Sequence, residues 1–312
     1  MCAMPATLIV SEFLRCYEVA GRPRLPMLER MLARATQGEP RHTYDCLATL
    51  FGLQPAVVQP GPFMRLADGG KPDDGYWLRA DPVHLAPDRD QLVLMPSSVL
   101  EVQHAELHAL AKAFDAIYAA EGWHLDFPSV ERGYLRAPRA LDALTHDPVP
   151  FIGGPVLAAM PSGPDGKLLK QLMNETQMLF HTHAVNTVRE EANRPTINSL
   201  WCWGGGQLPP KTVVSPNRIF GDLPLIVGMA HWADKEIRSP NRNYNWEEGD
   251  LIVLGRNDPR TLDRDWFGPL LSSLQEGDIR TLDLHLEGFG GFQLDTAASQ
   301  RFWRRSKPIQ RS

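Results

Sequence analysis

His181-Thr182-His183-Ala184-Val185-Asn186-Thr187-Val188-Arg189 and, beyond Pro195, Ile197-Asn198-Ser199-Leu200-Trp201-Cys202-Trp203-Gly204-Gly205-Gly206 set a helical pattern beside a strand pattern within twenty-six residues. His183, Asn186 and Arg189 are spaced three apart, so in a helix they share a face. Pro195 disfavours helix in the residue before it, which ends that piece. The apolar run Ile197–Trp203 then predicts a central buried strand, with Trp201 and Trp203 on one face because strand side chains alternate. A helix next to a buried strand is the repeating unit of a layered α/β fold.

The same alternation extends in both directions. Lys167 to Phe180 reads as a helix preceding this segment, and Asp222 is expected to cap another that runs through Ala233. Further on, Leu251–Leu254 predicts a strand, Trp266, Leu270, Leu271 and Leu274 a helix, and Leu282, Leu284 and Leu286 one arm of a hairpin. Toward the N-terminus, residues 98–121 predict a long helix. Ser98 and Glu101 form its capping box, and Gly122 ends it. Strands are expected at Tyr76–Ala80 and Leu92–Met95 with a turn at Ala86-Pro87-Asp88, and near 124–127 and 133–136. The first quarter reads as helical, over residues 24–35 and Thr43–Phe51. The expectation is a layered α/β sheet with flanking helices, as one α/β domain over 1–312. If the chain forms two touching lobes, they divide near 155–166, at Pro161-Ser162-Gly163-Pro164-Asp165-Gly166.

Composition narrows the partners. The chain has 312 residues, is 43% hydrophobic and carries a net charge of −5, enough for a large core without staples and too acidic for a general hold on nucleic acid or an anionic membrane. Arg301, Arg304, Arg305 and Lys307, interleaved with Phe302 and Trp303, read as a docked tail with solvated charges. Cys2, Cys16, Cys46 and Cys202 include no CxxC, so reduced thiols in a cytoplasmic protein are expected. No run of about 18 apolar residues is present to span a bilayer.

The residues that could carry chemistry converge on the opening segment. One imidazole, one amide and one guanidinium on a helix face suit a small anionic or phosphorylated ligand, because arginine grips phosphate or carboxylate with two parallel donors. The same trio could equally be an interior network fastening the helix to the strand. Gly204-Gly205-Gly206 lacks the Lys-Ser/Thr of a phosphate loop and is followed by Pro209-Pro210, so a tight turn is the simpler reading. His181 and His183 face one side only in a strand, and the pattern here is helical, so no metal site is expected from them. Asp81 and His84 interrupt an apolar stretch and could hold a turn or line a pocket.

His183-Ala-Val-Asn186-Thr-Val-Arg189 followed by Asn198-Ser-Leu-Trp201-Cys-Trp203-Gly204 resembles a motif of the archaeal-type cofactor-independent phosphoglycerate mutases, His-Pro-x-Asn-x-x-Arg and then Pro-Ala-Asn-x-x-Trp-x-Trp-Gly. Ala184 stands for the proline, and Thr196-Ile197-Asn198 for Pro-Ala-Asn. Asp222 to Met229 and Arg79-Ala80-Asp81 echo further family segments, so the likeness covers roughly 75–235. Length, Asn174-Glu175-Thr176-Gln177-Met178 and Phe302-Trp303-Arg304-Arg305 resemble more closely the RpfE-type bacterial regulatory family.

The mutase resemblance implies an alkaline-phosphatase-like fold. It also implies an early Asp-Gly with a Ser/Thr nucleophile, and later Asp and His clusters for two divalent metals. Here Asp68-Gly69-Gly70 has no neighbouring nucleophile, and His231, Asp234 and His285 are isolated in the sequence. The expectation is therefore a non-catalytic regulatory or binding protein, with no cofactor and no metal, that keeps part of a phosphometabolite pocket. In that pocket Arg189 would anchor an anion with His183, Asn186 and Asn198 orienting it, and Arg79, His84 and Arg132 contributing. The alternative is a metal-free enzyme acting on a phosphorylated or carboxylated metabolite, with His183 as the titrating group.

Overall fold

The structure is a computed structural model describing residues 4–88, 91–242, 244–301, 303–306 and 308–309. Cys2, Phe302 and Lys307 lie outside them. In chain order the elements begin β1 (Ala6–Val10), α1 (Phe13–Val19), α2 (Pro26–Arg34), β2 (Thr36–Gly38), α3 (Thr43–Leu50), α4 (Pro60–Ala67), β3 (Tyr76–Asp88) and β4 (Gln91–Pro96). They continue with α5 (His104–Tyr118), β5 (His124–Asp126), β6 (Tyr134–Ala137), α6 (Gly166–His181), α7 (Ala184–Glu191), β7 (Ser199–Gly206), β8 (Arg218–Gly221) and α8 (Pro224–Trp232). The last are β9 (Ile237–Arg238), β10 (Asp250–Leu254), α9 (Pro259–Leu262), α10 (Gly268–Glu276), β11 (Thr281–Leu286), β12 (Gly290–Asp295) and α11 (Thr296–Ser299). Helices flank sheets throughout, as the interleaved patterns predict.

The chain forms two compact units, one from residues 1–58 with 211–312 and one from 59–210. The second is inserted in sequence between α3 and β8 of the first. Pro161–Gly166 lies inside the second unit rather than at its limit. Leu144 and Ser162 exchange backbone hydrogen bonds there, and Arg139 grips Asp165 through two nitrogens.

The first unit is built on a seven-stranded sheet, ordered β2-β12-β11-β1-β10-β8-β9. β1 is parallel to both β10 and β11, and β10 to β8, whereas β12 and β2 run antiparallel. β1 is thus a central strand in a quarter of the chain whose patterns predict only helices. Its five residues are apolar or β-branched and almost fully buried, a short run too brief to show a period. Leu8, Val10 and Leu284 meet Phe13, Leu28 and Phe267 in its core.

The second unit has a five-stranded antiparallel sheet in which β3 pairs with β4 and β6 and, separately, with β7. Leu78 and Leu200 pack with Leu107, Phe114, Leu172 and Phe180 of α5 and α6. β7 pairs only with β3 among the described strands, so it is not central. Trp201 and Trp203 are buried nonetheless, at 1% and 6% exposure.

Two local features depart from the patterns. The helix expected from Ser98 starts at His104, because Glu101 adopts a left-handed conformation (φ 50°). Its capping box is Gln103 with Glu106. Gly204–Gly206 form no turn or loop but finish β7, where a Cβ on Gly204 would stand 2.9 Å from Pro60 and one on Gly61 would collide with the Trp77 carbonyl. The glycines let α4 lie against the sheet.

Candidate functional site

The seven residues singled out by sequence all lie in the second unit, in two networks. His183 caps α7, its Nδ1 accepting from the Val185 N–H at 3.2 Å. Asn186, fully buried, donates to the carbonyls of Phe180 and Ile197 at 2.8 and 2.9 Å and accepts from Ile197 N–H at 2.8 Å. Arg189, also fully buried, has an acceptor at every guanidinium nitrogen: Pro195 O at 2.7 Å, Glu106 Oε2 at 2.8 Å, and the carbonyl of Leu100. Asn198 pairs both ways with the Leu85 backbone, at 2.8 and 3.0 Å, and His84 Nδ1 donates to the Thr196 carbonyl at 2.9 Å. This is the interior-network alternative: the anion on Arg189 is the chain's own Glu106.

Arg79 and Arg132 belong to the second network. Arg79 donates to Asp81 at 2.5 and 3.0 Å, and the Trp203 indole N–H donates to the other Asp81 oxygen at 2.9 Å. Arg132 grips Asp68 through two nitrogens at 2.8 and 2.7 Å, and the Tyr134 hydroxyl adds a third bond at 2.5 Å. Burial opposes ionisation of Asp68, yet the hydrogen bonds from Arg132 and Tyr134 outweigh it and hold the carboxyl below its ordinary range. Each charge here already has a partner.

An accessible cleft lies instead in the first unit, at the carboxyl ends of β8 and β10, with a volume of about 520 Å³. In open α/β sheets such strand ends are where ligands bind, where connections diverge to either side. Here the chain leaves β10 and crosses to β11 on the far side of β1. That crossover supplies Asn257, Thr261, Asp265 and Trp266 to the cleft. Asp265 and Trp266 sit in a π-helical stretch, Asp263–Phe267, an irregularity frequent at functional sites.

Arg242 and Arg256 line the same cleft with side chains 71% and 64% exposed. Arg242 stands 3.8 Å from Asp265, which Arg264 already engages at 2.5 and 2.9 Å. Arg256 stands 3.6 Å from Glu12. Leu223, also in the lining, is the N-cap of α8 and offers no side-chain cap to the first-turn N–H groups, while Asp222 and Asp265 bring carboxylates to the same lining. Asp222, expected as that cap, sits one residue earlier.

Beside the cleft the ends of β1 and β11 carry a further cluster. The Ser11 hydroxyl and the Glu12 N–H both donate to Glu287 Oε2 at 2.8 Å, and His42 Nε2 lies 3.1 Å from Glu287 Oε1. Burial opposes ionisation of Glu287, but these donors prevail and lower its pKa. No local pattern marks these residues in the sequence. The only available signal is the apolar run of β1 stopping at a Ser-Glu pair.

No protein-family model matches the chain. Over 204 residues, 62% of the chain, it is 27% identical to a probable 2,3-bisphosphoglycerate-independent phosphoglycerate mutase of Geobacter sulfurreducens, and spans half of that protein's length. A stretch of 53 residues, 17% of the chain and 13% of the relative, is 34% identical to the 2,3-bisphosphoglycerate-independent phosphoglycerate mutase of Methanosarcina mazei. The PH0037 protein from Pyrococcus horikoshii superposes with a TM-score of 0.51 at 13% identity, over 94% of this chain and 87% of that one. The cofactor-independent phosphoglycerate mutase from Thermoplasma acidophilum gives 0.45 at 16%, over 93% and 89%. The chain is thus distantly similar in sequence to 2,3-bisphosphoglycerate-independent phosphoglycerate mutases, and it shares a layered α/β fold with the PH0037 protein.

The described residues do not fit a pair of divalent metals, which the mutase resemblance implies. Among the described residues, no group of three or more His, Cys, Asp or Glu side chains could hold a metal ion. At the strand ends, the oxygens of Glu287 and Glu12 face a hydroxyl, an N–H, an imidazole and guanidinium groups.

Proposed function

We propose that this distant mutase homologue is a non-catalytic binding or regulatory protein whose ligand is a small anionic metabolite, phosphorylated or carboxylated, held in the first unit's cleft. One observation carries the reading: two exposed guanidinium groups, Arg242 and Arg256, and the start of α8, which has no side-chain cap, share one cleft at the carboxyl ends of the parallel strands β8 and β10. Arginine offers paired, planar donors to phosphate or carboxylate, and a helix N-terminus adds positive potential. A volume of about 520 Å³ suits a metabolite-sized ligand. A regulatory role, as the likeness to RpfE-type proteins implies, is part of this proposal.

A thermal-shift screen with phosphorylated and carboxylated metabolites of central carbon metabolism tests it. A ligand at a hundredfold excess over its Kd adds about 2.7 kcal/mol to folding. The wild type should melt higher with at least one ligand, and Arg242→Ala and Arg256→Ala should lose that response while melting normally without ligand. A wild type indifferent to every anion would end the proposal.

A second reading, a metal-free enzyme on the same class of metabolite, draws on Ser11, Glu287 and His42, a hydroxyl, a carboxylate and an imidazole in one hydrogen-bonded row. Turnover of a bound metabolite, abolished by His42→Ala or Ser11→Ala, would favour it.

A further inference from the structure

We infer that guanidinium groups occupy the electrostatic role of divalent cations at this sheet end, so that the cleft takes the oxoanion of its ligand directly on Arg256 and without a metal. The inference rests on the reading of the cleft as an anion site.

Three strand ends meet there. Ser11 follows β1 and donates its N–H to the Leu254 carbonyl at the end of β10, while Glu287 follows β11 and donates its N–H to Val10 O. The sheet thereby fixes the backbone from which both side chains project. Glu12 leaves β1 in a left-handed conformation, φ 53° and ψ 22°, which a non-glycine residue adopts only when its surroundings impose it. That conformation places its N–H on Glu287 and its carboxylate between two cations: one oxygen, Oε2, lies 3.3 Å from Arg15 and 3.6 Å from Arg256.

A divalent cation needs carboxylate lone pairs still open to it and is repelled by guanidinium charge beside them. Here Glu287 carries three donors and Glu12 faces two guanidinium groups, so a metal would have to displace fixed positive charge. Glu12 faces Arg256 instead, and Glu287 holds the Glu12 N–H. The Arg256 Nε faces Glu12, and among the described residues its Nη groups have no partner, which leaves the paired donors that bind phosphate or carboxylate.

Calorimetric titration of the full chain with inorganic phosphate, after chelation and with or without added Mg²⁺ or Mn²⁺, tests this. Phosphate affinity should be the same in both conditions. Arg256→Ala should weaken it by about tenfold or more and Arg256→Lys by less, since an ammonium keeps charge but loses the fork. Arg15→Ala should weaken it by a smaller factor, because Glu12 would then draw fully on Arg256. Melting without phosphate checks that each variant folds. If added cation strengthens phosphate binding about tenfold in the wild type while Arg242→Ala still abolishes it, the inference is overturned and the cleft reading stands. If phosphate and the metabolite set all fail to bind, both fall.

Discussion

Arg189 donates through Nη1 to Glu106 Oε2 at 2.8 Å, joining α7 to α5 by an ion pair whose arginine is wholly shielded from solvent. Glu106 also receives Arg194 at 3.1 Å and the Gln103 N–H at 2.9 Å, so one carboxylate serves both a helix cap and two guanidinium groups. Arg189→Ala would leave the Pro195 carbonyl and the buried Leu100 carbonyl without their donor and Glu106 with Arg194 as its one guanidinium, and is expected to cost about 3–5 kcal/mol. Arg189→Lys should also destabilise, because one ammonium cannot reach the Pro195 and Leu100 carbonyls and Glu106 together. Chemical denaturation of both variants checks this. A Lys variant as stable as wild type would argue against the interior network.

Trp201 is enclosed at 1% exposure and donates its indole N–H to the His146 carbonyl at 2.8 Å. Trp201→Ala should cost about 3–5 kcal/mol through the cavity left behind. Trp201→Phe should cost less, about 1 kcal/mol of it from the lost hydrogen bond. Urea unfolding midpoints separate the two.

Acid should weaken the second network through Asp68. Its carboxyl titrates lower in the folded chain than the ordinary aspartate value of about 4. The linked stability is therefore present above the unfolded value and lost as pH falls through the folded one. Melting temperatures from pH 7 down to about 2.5 should fall on that limb. Asp68→Asn should melt lower at neutral pH and lose part of that acid dependence.

Buried thiols should resist modification. Burial pushes Cys202 up to about 12 and Cys46 up to about 11. Cys46 Sγ lies 3.4 Å from His285 Nδ1, a pairing that activates a thiol when the imidazole is charged. Burial lowers the pKa of His285, so the imidazole is neutral and the activation is absent. Alkylation at pH 8 followed by peptide mass spectrometry should mark half-exposed Cys16 and spare Cys46 and Cys202 until the chain is denatured.

What could be read from sequence was what local periodicity encodes. The shared face of Asn186 and Arg189 was legible, as were α6, the break before α7, and the hairpin carrying Leu282, Leu284 and Leu286. Which way that face points was not, because burial depends on α5 and β3, distant in the chain. The turn expected at Ala86-Pro87-Asp88 is instead strand, Pro87 pairing with Leu92 as β3 continues into β4. The cleft was invisible for the same reason. Arg256 and Glu12 become neighbours only because β10 pairs with β1, and no pattern within either segment announces that register.

The insertion of the second unit between α3 and β8 also sets an order of assembly. On the ribosome, β1 emerges before residues 59–210 and its partners β10 and β11 after them, so the central strand must wait, unpaired by those partners, while that stretch is made. That inserted stretch is continuous and can close its own sheet during synthesis. The outer segments carry the entropic cost of bringing distant ends together. Ser11, Glu12 and Arg256 can meet only after β10 pairs with β1, and Glu287 can join them only when β11 docks, so the strand-end array forms only after the inserted stretch has been made.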